Sequence, residues 1–173
     1  LVREMDEHAK LAPSLLPKLF ELGIMGIEIP EEYGGAGATL FHSVLAVESL
    51  SRVDPALGVL VDVQNTLVVN SFVRWANADL KTRYLPKLAS SVIGAYCLSE
   101  EGSGSDAFAL ATRAVERGEG YAITGRKLWI TNGSVADVAV VWARTDDRIR
   151  GFVVPTDSKG FSANETHPKL SPR

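Results

Sequence analysis

Tyr96-Cys97-Leu98-Ser99-Glu100-Glu101-Gly102-Ser103-Gly104-Ser105-Asp106 is the stretch at which the chain changes character. It leaves a run of β-formers, Val92-Ile93-Gly94-Ala95-Tyr96-Cys97-Leu98, and enters a loop of glycines and hydroxyls. Helix signals precede it and strand and turn signals follow it, a succession without alternation that predicts an α+β fold rather than a parallel βαβ sheet. Gly102 and Gly104 admit backbone angles closed to other residues, so the N–H groups of Gly102 to Ser105 can converge on an anion, with Ser103 and Ser105 adding hydroxyl donors. A phosphate or pyrophosphate suits such a loop, and an ordinary turn is the other reading of the same residues. A dinucleotide fingerprint is excluded because Ala107 stands where a third glycine would be needed, and a P-loop because no lysine follows.

Upstream, residues 1–90 read as a helical domain. Leu15, Leu16, Leu19, Phe20 and Leu22 recur at helical spacing, with Pro17 limiting that helix at one end and Gly23 placed to cap the other. Ile29-Pro30-Glu31-Glu32-Tyr33-Gly34-Gly35-Ala36-Gly37 is a loop. Thr39 offers an N-cap for a helix through Phe41, Val44, Leu45 and Leu50, and Asp54-Pro55 pairs a cap with a first-turn proline. The helix that Asp54 opens is apolar on most sides, which predicts an interior position. Asn77 caps a last helix, expected to be disturbed at Pro86.

Downstream, residues 91–173 read as a β-domain. Tyr121-Ala122-Ile123-Thr124, Leu128-Trp129-Ile130-Thr131, Val138-Ala139-Val140-Val141-Trp142-Ala143 and Gly151-Phe152-Val153-Val154-Pro155 are strand candidates. Glu119-Gly120, Asn132-Gly133 and Thr145-Asp146-Asp147 supply turn chemistry between them, and an antiparallel sheet or barrel is expected. The sequence has no internal repeat.

Composition narrows the function classes. The 173 residues hold 46% hydrophobic and 23% charged side chains, a balance that calls for a packed core rather than disorder. Lys and Arg number 18 against 21 Asp and Glu, a net charge of -3 that argues against nucleic acid as a partner. Ala56 to Trp75 is the longest apolar stretch, but Asp62, Gln64, Asn65, Asn70 and Arg74 interrupt it, so a buried helix and no membrane span are expected. The N-terminus mixes both charge signs and does not read as a signal peptide. One cysteine, Cys97, excludes an internal disulfide, and an intracellular setting fits. Without a cationic neighbour in sequence, Cys97 reads as a small buried strand residue. His8, His42 and His167 lack partners at ligand spacing, so no metal is expected. Glu100 and Glu101, on alternate sides of an extended chain, cannot form an acid/base couple. Asp106 reads as a residue that fixes the loop through backbone hydrogen bonds, and Arg144, Asp146, Asp147, Arg148 and Arg150 as a solvated turn.

Read together with Gly125-Arg126-Lys127-Leu128-Trp129-Ile130-Thr131-Asn132-Gly133, the opening segment resembles the acyl-CoA dehydrogenase family, whose flavin site combines Y-C-x-[ST]-E-x-G-x-G-S-D with a later G-x-K-x-[WF]-I-[TS]. Glu31-Glu32-Tyr33-Gly34-Gly35 and Tyr84-Leu85-Pro86 are similar to further signatures of that family, so the resemblance covers nearly the whole chain. It implies FAD as cofactor, lined by Tyr96, Cys97, Leu98, Ser99, Gly102, Ser103, Gly104, Ser105, Trp129, Ile130 and Thr131, with Ser105 also touching the acyl-CoA. The residues suit those roles, since Ser99 and Thr131 carry hydroxyls for a polar ring edge and Trp129 a large flat surface, although Trp129 also reads as a core aromatic on a strand.

The activity implied is α,β-dehydrogenation of an acyl-CoA, with hydride passing to flavin N5 and electrons to an electron-transfer flavoprotein. Met25-Gly26-Ile27-Glu28 and Val63-Gln64-Asn65-Thr66-Leu67 resemble the short/branched-chain members, which oxidise acyl-CoAs such as 2-methylbutyryl-CoA. By the same resemblance residues 1–90 form an N-terminal helical domain whose start is truncated, and residues 91–173 an incomplete, antiparallel β-barrel-like middle domain in which Pro168-Lys169-Leu170 resembles later strands. The family's C-terminal helical bundle, which carries the catalytic Glu, is expected outside this chain, so no catalytic residue is assigned and exposed strand edges and apolar helix faces are expected. A homotetramer at full length and a mitochondrial matrix or bacterial cytoplasmic setting are also implied. The alternatives are an acyl-CoA oxidase and a non-catalytic or partner-dependent flavin-fold module, including DNA-associated relatives.

Overall fold

A computed structural model describes residues 1–146 and 148–165. Asp147 of the charged turn, His167 and the Pro168-Lys169-Leu170 segment lie outside the described residues. The chain divides into two compact units, one over Leu1–Ile93 and one over Gly94–Ala163.

The first unit is helical: α1 (Val2–His8), α2 (Leu15–Glu21), α3 (Leu40–Ser51), α4 (Pro55–Asp62), α5 (Asn70–Trp75) and α6 (Ala78–Ser90). The predicted helix ends are built as their residues dictate. Gly23 sits at φ 71 past the end of α2, where its N–H donates to the Phe20 carbonyl and that of Ile24 to Leu19, the doubly bonded left-handed cap that satisfies orphan carbonyls. Thr39 and His42 form a reciprocal capping box on α3. Asp54 accepts from the amides of Ala56 and Leu57 at the start of α4, and Asn77 from Leu80 at the start of α6. Pro86 lies inside α6 without ending it; the helix runs on to Ser90, whose hydroxyl donates to the Pro86 carbonyl.

Pro55 to Trp75 is one continuous helical rod whose middle, Val63–Val69, is wound as π-helix. Two amides explain the widened turns. The Asn65 side chain donates to the Ile24 and Val61 carbonyls and accepts from the Ile27 amide, while that of Gln64 donates to Leu88 and Val92. Both are fully buried, as are Met25, Ile29, Phe72, Leu85 and Leu88 of the same unit. The rod is long and apolar enough to cross a membrane, but half of it is buried inside the chain and its centre carries these tertiary hydrogen bonds, as expected of a core helix. Leu40, Phe41, Val44 and Leu45 remain exposed along α3.

The second unit is a sheet of β1 (Gly94–Cys97), β2 (Arg113–Arg117), β3 (Gly120–Thr124), β4 (Val138–Arg144) and β5 (Ile149–Pro155). β4 is its spine. β5 pairs antiparallel along all of β4 on one edge; on the other, β1 pairs parallel to Val138–Val141 and β2 joins at Arg144 through Arg113. β2 and β3 form an antiparallel hairpin closed at Gly118, φ 59. The sheet is therefore mixed and open, where an antiparallel, barrel-like arrangement is expected from the sequence. Alternation along β1 sends Ala95 and Cys97 into a core with Ala139 and Val141, and Tyr96 to the opposite face against the Trp142 ring.

Candidate functional site

β1 delivers the chain into the glycine-hydroxyl loop at Leu98. What fixes the loop is Glu100, whose side chain is 8% exposed and pairs with Lys127, 9% exposed, at 2.7 Å. The second carboxylate oxygen accepts from the Ala111 amide at 2.6 Å, and the first also accepts from the Thr112 amide at 3.1 Å. Lys127 in turn donates to the Leu98 carbonyl at 3.0 Å, and the Leu128 amide donates to the Ser99 carbonyl at 2.9 Å. Burial works against the charge on Glu100, but the Lys127 ammonium with the Thr112 and Ala111 donors outweighs it and holds the carboxyl at about 2. Both partners are thereby satisfied, the condition under which a buried ion pair is tolerated.

This cluster joins the two sequence segments predicted to act together. Leu98, Ser99 and Glu100 of the first are tied to Lys127 and Leu128 of the second, immediately before Trp129. Leu128–Thr131 is not a strand. Trp129 adopts φ 59, with its side chain held 71% exposed. A bulky residue in the left-handed region carries about 1–3 kcal/mol of strain and persists only where its surroundings over-determine it. Lys127 and Leu128 fix the chain before it, and Asn132 fixes the chain after it, itself left-handed at φ 65 and donating its side-chain amide to the Gly94 carbonyl.

The predicted site residues divide by what the chain asks of them. Ser103 is buried and committed inward: its amide and carbonyl exchange hydrogen bonds with Glu100, and its hydroxyl donates to the Asp106 carbonyl. It closes the turn instead of adding a hydroxyl donor to the loop mouth. Gly102 and Gly104 do not adopt left-handed angles; a Cβ on either would meet open space, so what the glycines leave is clearance over the backbone. Among the described residues, the exposed amides of Gly102, Gly104 and Ser105 donate to no group of the chain, and the half-buried hydroxyls of Ser99 and Thr131 make no internal hydrogen bond. Ile130 packs on the sheet core instead. Asp106 fixes its loop through its carbonyl, which accepts from Ser103 and Ala109.

Cys97 is a core residue, as expected, though it does have a cationic neighbour, contributed by the fold and not by sequence proximity. Burial pushes its thiol up to about 11 against the weaker pull of Lys127, which leaves it without nucleophilic character. Tyr96 is half-buried, and burial raises its phenol. Arg144 is not merely solvated: its guanidinium donates to the Phe108 carbonyl. Beside the ion pair lies a cleft of about 250 Å³ lined by Glu101, Gly102, Thr112, Gly125, Arg126 and Leu128 among others. Gly125 is required there by space, since a Cβ would lie 2.2 Å from the Thr112 hydroxyl.

Unpaired exposed amides, free hydroxyls and a solvent-facing indole constitute donors for an anion, donors for a polar ring edge and a flat apolar surface. That set fits a nucleotide bearing an extended conjugated ring. Sequence reading does not single out Ala111 and Thr112, and it quotes Gly125 and Lys127 within the second segment without giving them a role; folding alone brings Ala111 and Thr112 to Glu100, Lys127 and Gly125.

Comparisons with known proteins agree. Residues 1–91 match the family "Acyl-CoA dehydrogenase, N-terminal domain", and residues 95–173 match "Acyl-CoA dehydrogenase, middle domain". A probable short/branched chain specific acyl-CoA dehydrogenase of Dictyostelium discoideum is 44% identical over the whole of this chain and 43% of its own length. The mitochondrial short/branched chain specific acyl-CoA dehydrogenase of Rattus norvegicus is 41% identical, over the whole chain and 41% of its own length. A solved glutaryl-CoA dehydrogenase from Mycobacterium smegmatis in complex with FADH2 superposes with TM-score 0.89 at 42% identity, over 95% of this chain and 43% of its own. The chain thus spans less than half the length of these relatives.

Proposed function

The chain belongs to the acyl-CoA dehydrogenase family, and from that premise we propose that it is the part of an FAD-dependent acyl-CoA dehydrogenase that holds the flavin, acting on a short or branched-chain acyl-CoA. The observation that carries the reading is Trp129, a strained and exposed aromatic fixed beside free hydroxyls and free amides. When bound, FAD supplies the two-electron acceptor for the hydride removed from the β-carbon.

The chain's own residues bind and orient. The indole of Trp129 would offer the flavin ring a flat apolar face, and Ser99 and Thr131 would donate to its polar edges, with Tyr96 and Leu98 sharing one face of the chain beside them, whereas the side chains of Cys97 and Ile130 are taken up by the sheet core and would support that lining from behind. The amides of Gly102, Gly104 and Ser105 would donate to phosphate oxygens over the clearance the glycines leave, and Ser103 holds that turn closed from within. Ser105 also meets the acyl-CoA. No residue of this chain is assigned as the base that removes the α-proton; a carboxylate is expected from the portion of the relatives' length that the chain does not span. Electrons then leave to an electron-transfer flavoprotein, in a tetramer located in a mitochondrial matrix or a bacterial cytoplasm.

Anaerobic addition of 2-methylbutyryl-CoA to the FAD-loaded full-length protein tests the reading. Bleaching of the visible flavin band by one equivalent of substrate is expected, and a bound flavin whose spectrum ignores short, branched and medium acyl-CoAs alike would overturn it.

A further inference from the structure

The Glu100–Lys127 pair makes four hydrogen bonds that tie together three stretches of the chain, at Leu98–Glu100, Ala111–Thr112 and Lys127. The ammonium has two acceptors, the Leu98 carbonyl and the Glu100 carboxylate, and the carboxylate has three donors, the ammonium and the Ala111 and Thr112 amides. Both side chains are withdrawn from solvent. The acceptors of Lys127 lie on the two sides of Ser99, and Lys127 itself is two residues before Trp129. The pair thus spans the two segments that carry the flat surface and the free hydroxyls, and does so immediately ahead of the one bulky residue held in the left-handed region at that site. A conformation of that kind is kept only by what clamps it.

We propose that Lys127 and Glu100 are positioning residues for the flavin: their buried ion pair holds Trp129 in its exposed, left-handed conformation and sets its distance from Ser99, so that the ring surface and the hydroxyl edge are arranged before the cofactor arrives. The inference rests on the flavin reading above. Its physical content is preorganisation, since a segment already ordered in its bound form has less freedom to lose on binding.

The test is a double-mutant cycle in the full-length protein, read by FAD dissociation constant and by the shape of the bound flavin spectrum, on samples whose far-UV circular dichroism matches the wild type. Lys127→Met is expected to weaken FAD at least tenfold and to blur the flavin band, Lys127→Arg to recover much of the loss, and Lys127→Met in a Trp129→Ala background to add less than threefold, because the clamp then has nothing left to position. A Lys127→Met protein that binds FAD within twofold of the wild type, or an effect of equal size with and without Trp129, overturns the inference and leaves the flavin reading standing. If Lys127→Met does not fold, Glu100→Asp, which keeps the charge and withdraws it by one methylene, is put through the same cycle with the same criteria. A folded wild-type protein that does not bind FAD overturns the flavin reading and this inference with it.

Discussion

Glu100 is a buried charge held by an ion pair and two backbone amides, so its loss is costly. Removing its charge leaves a buried ammonium uncompensated and turns one of the two acceptor oxygens into a donor that faces a backbone amide, so Glu100→Gln should lower the unfolding free energy by about 3 kcal/mol or more in urea titration. Its carboxyl is held down to about 2 in the folded chain, against an ordinary 4.5. The folded value lies below the unfolded one, so the stabilisation is complete above the unfolded value and is lost as pH falls from about 4.5 through about 2. Denaturant midpoints across that acid window should fall in the wild type and fall less steeply in Glu100→Gln. Trp129 makes the opposite bargain. Asparagine tolerates the left-handed region better than tryptophan, so Trp129→Asn should leave the FAD-free protein as stable or more stable by about 1 kcal/mol, while weakening FAD at least tenfold; equilibrium unfolding and flavin titration read the two effects. At this scale the sequence exposes residue types and not partners. Ser99, Thr131 and Trp129 are visible as candidates because hydroxyl and aromatic chemistry is intrinsic to them. The inward turn of Ser103 is invisible, because it depends on the carbonyl of Asp106 and on Glu100 being drawn away toward Lys127.

Among the elements, helices are read well wherever an end is coded locally. Thr39, Asp54 and Asn77 cap where expected, and Gly23 terminates α2, because each of these bonds is made within a few residues. The π-helical turns at Val63–Val69 are not coded locally. They follow from Gln64 and Asn65 reaching carbonyls 24 and more residues away, at Leu88, Val92 and Ile24. Asn65→Ala should therefore cost about 3 kcal/mol, since the Ile27 amide and the Ile24 carbonyl are left unpaired beside a cavity, whereas Asp54→Ala, which loses an N-cap, should cost about 1 kcal/mol. Thermal unfolding of the two variants side by side checks the ranking. β2 escapes sequence reading because only Ala114 of Arg113–Arg117 is buried, so no alternating apolar pattern marks it. Leu128–Thr131 is misread as a strand for the converse reason: its β-formers are drawn into a turn by Lys127 on one side and Asn132 on the other.

For the molecule as a whole, the division into a helical and a sheet unit is legible because the period of the apolar pattern changes near Gly94, but strand order is not. Whether β1 and β5 flank β4 is decided by which side chains fill the space around Ala139 and Val141, a many-body outcome that no single run encodes. The flavin-holding role proposed for residues 96–105 and 129–131 rests on Trp129 meeting the cofactor directly, and three tryptophans make that testable. With Trp75, Trp142 and any tryptophan outside these 173 residues replaced by phenylalanine, Trp129 is the sole indole emitter, and titration with FAD reads its fluorescence alone. Stoichiometric quenching of that emission, saturating together with flavin uptake, is the expected result. Flavin uptake with the Trp129 emission unchanged, or no uptake by the folded protein, would contradict it.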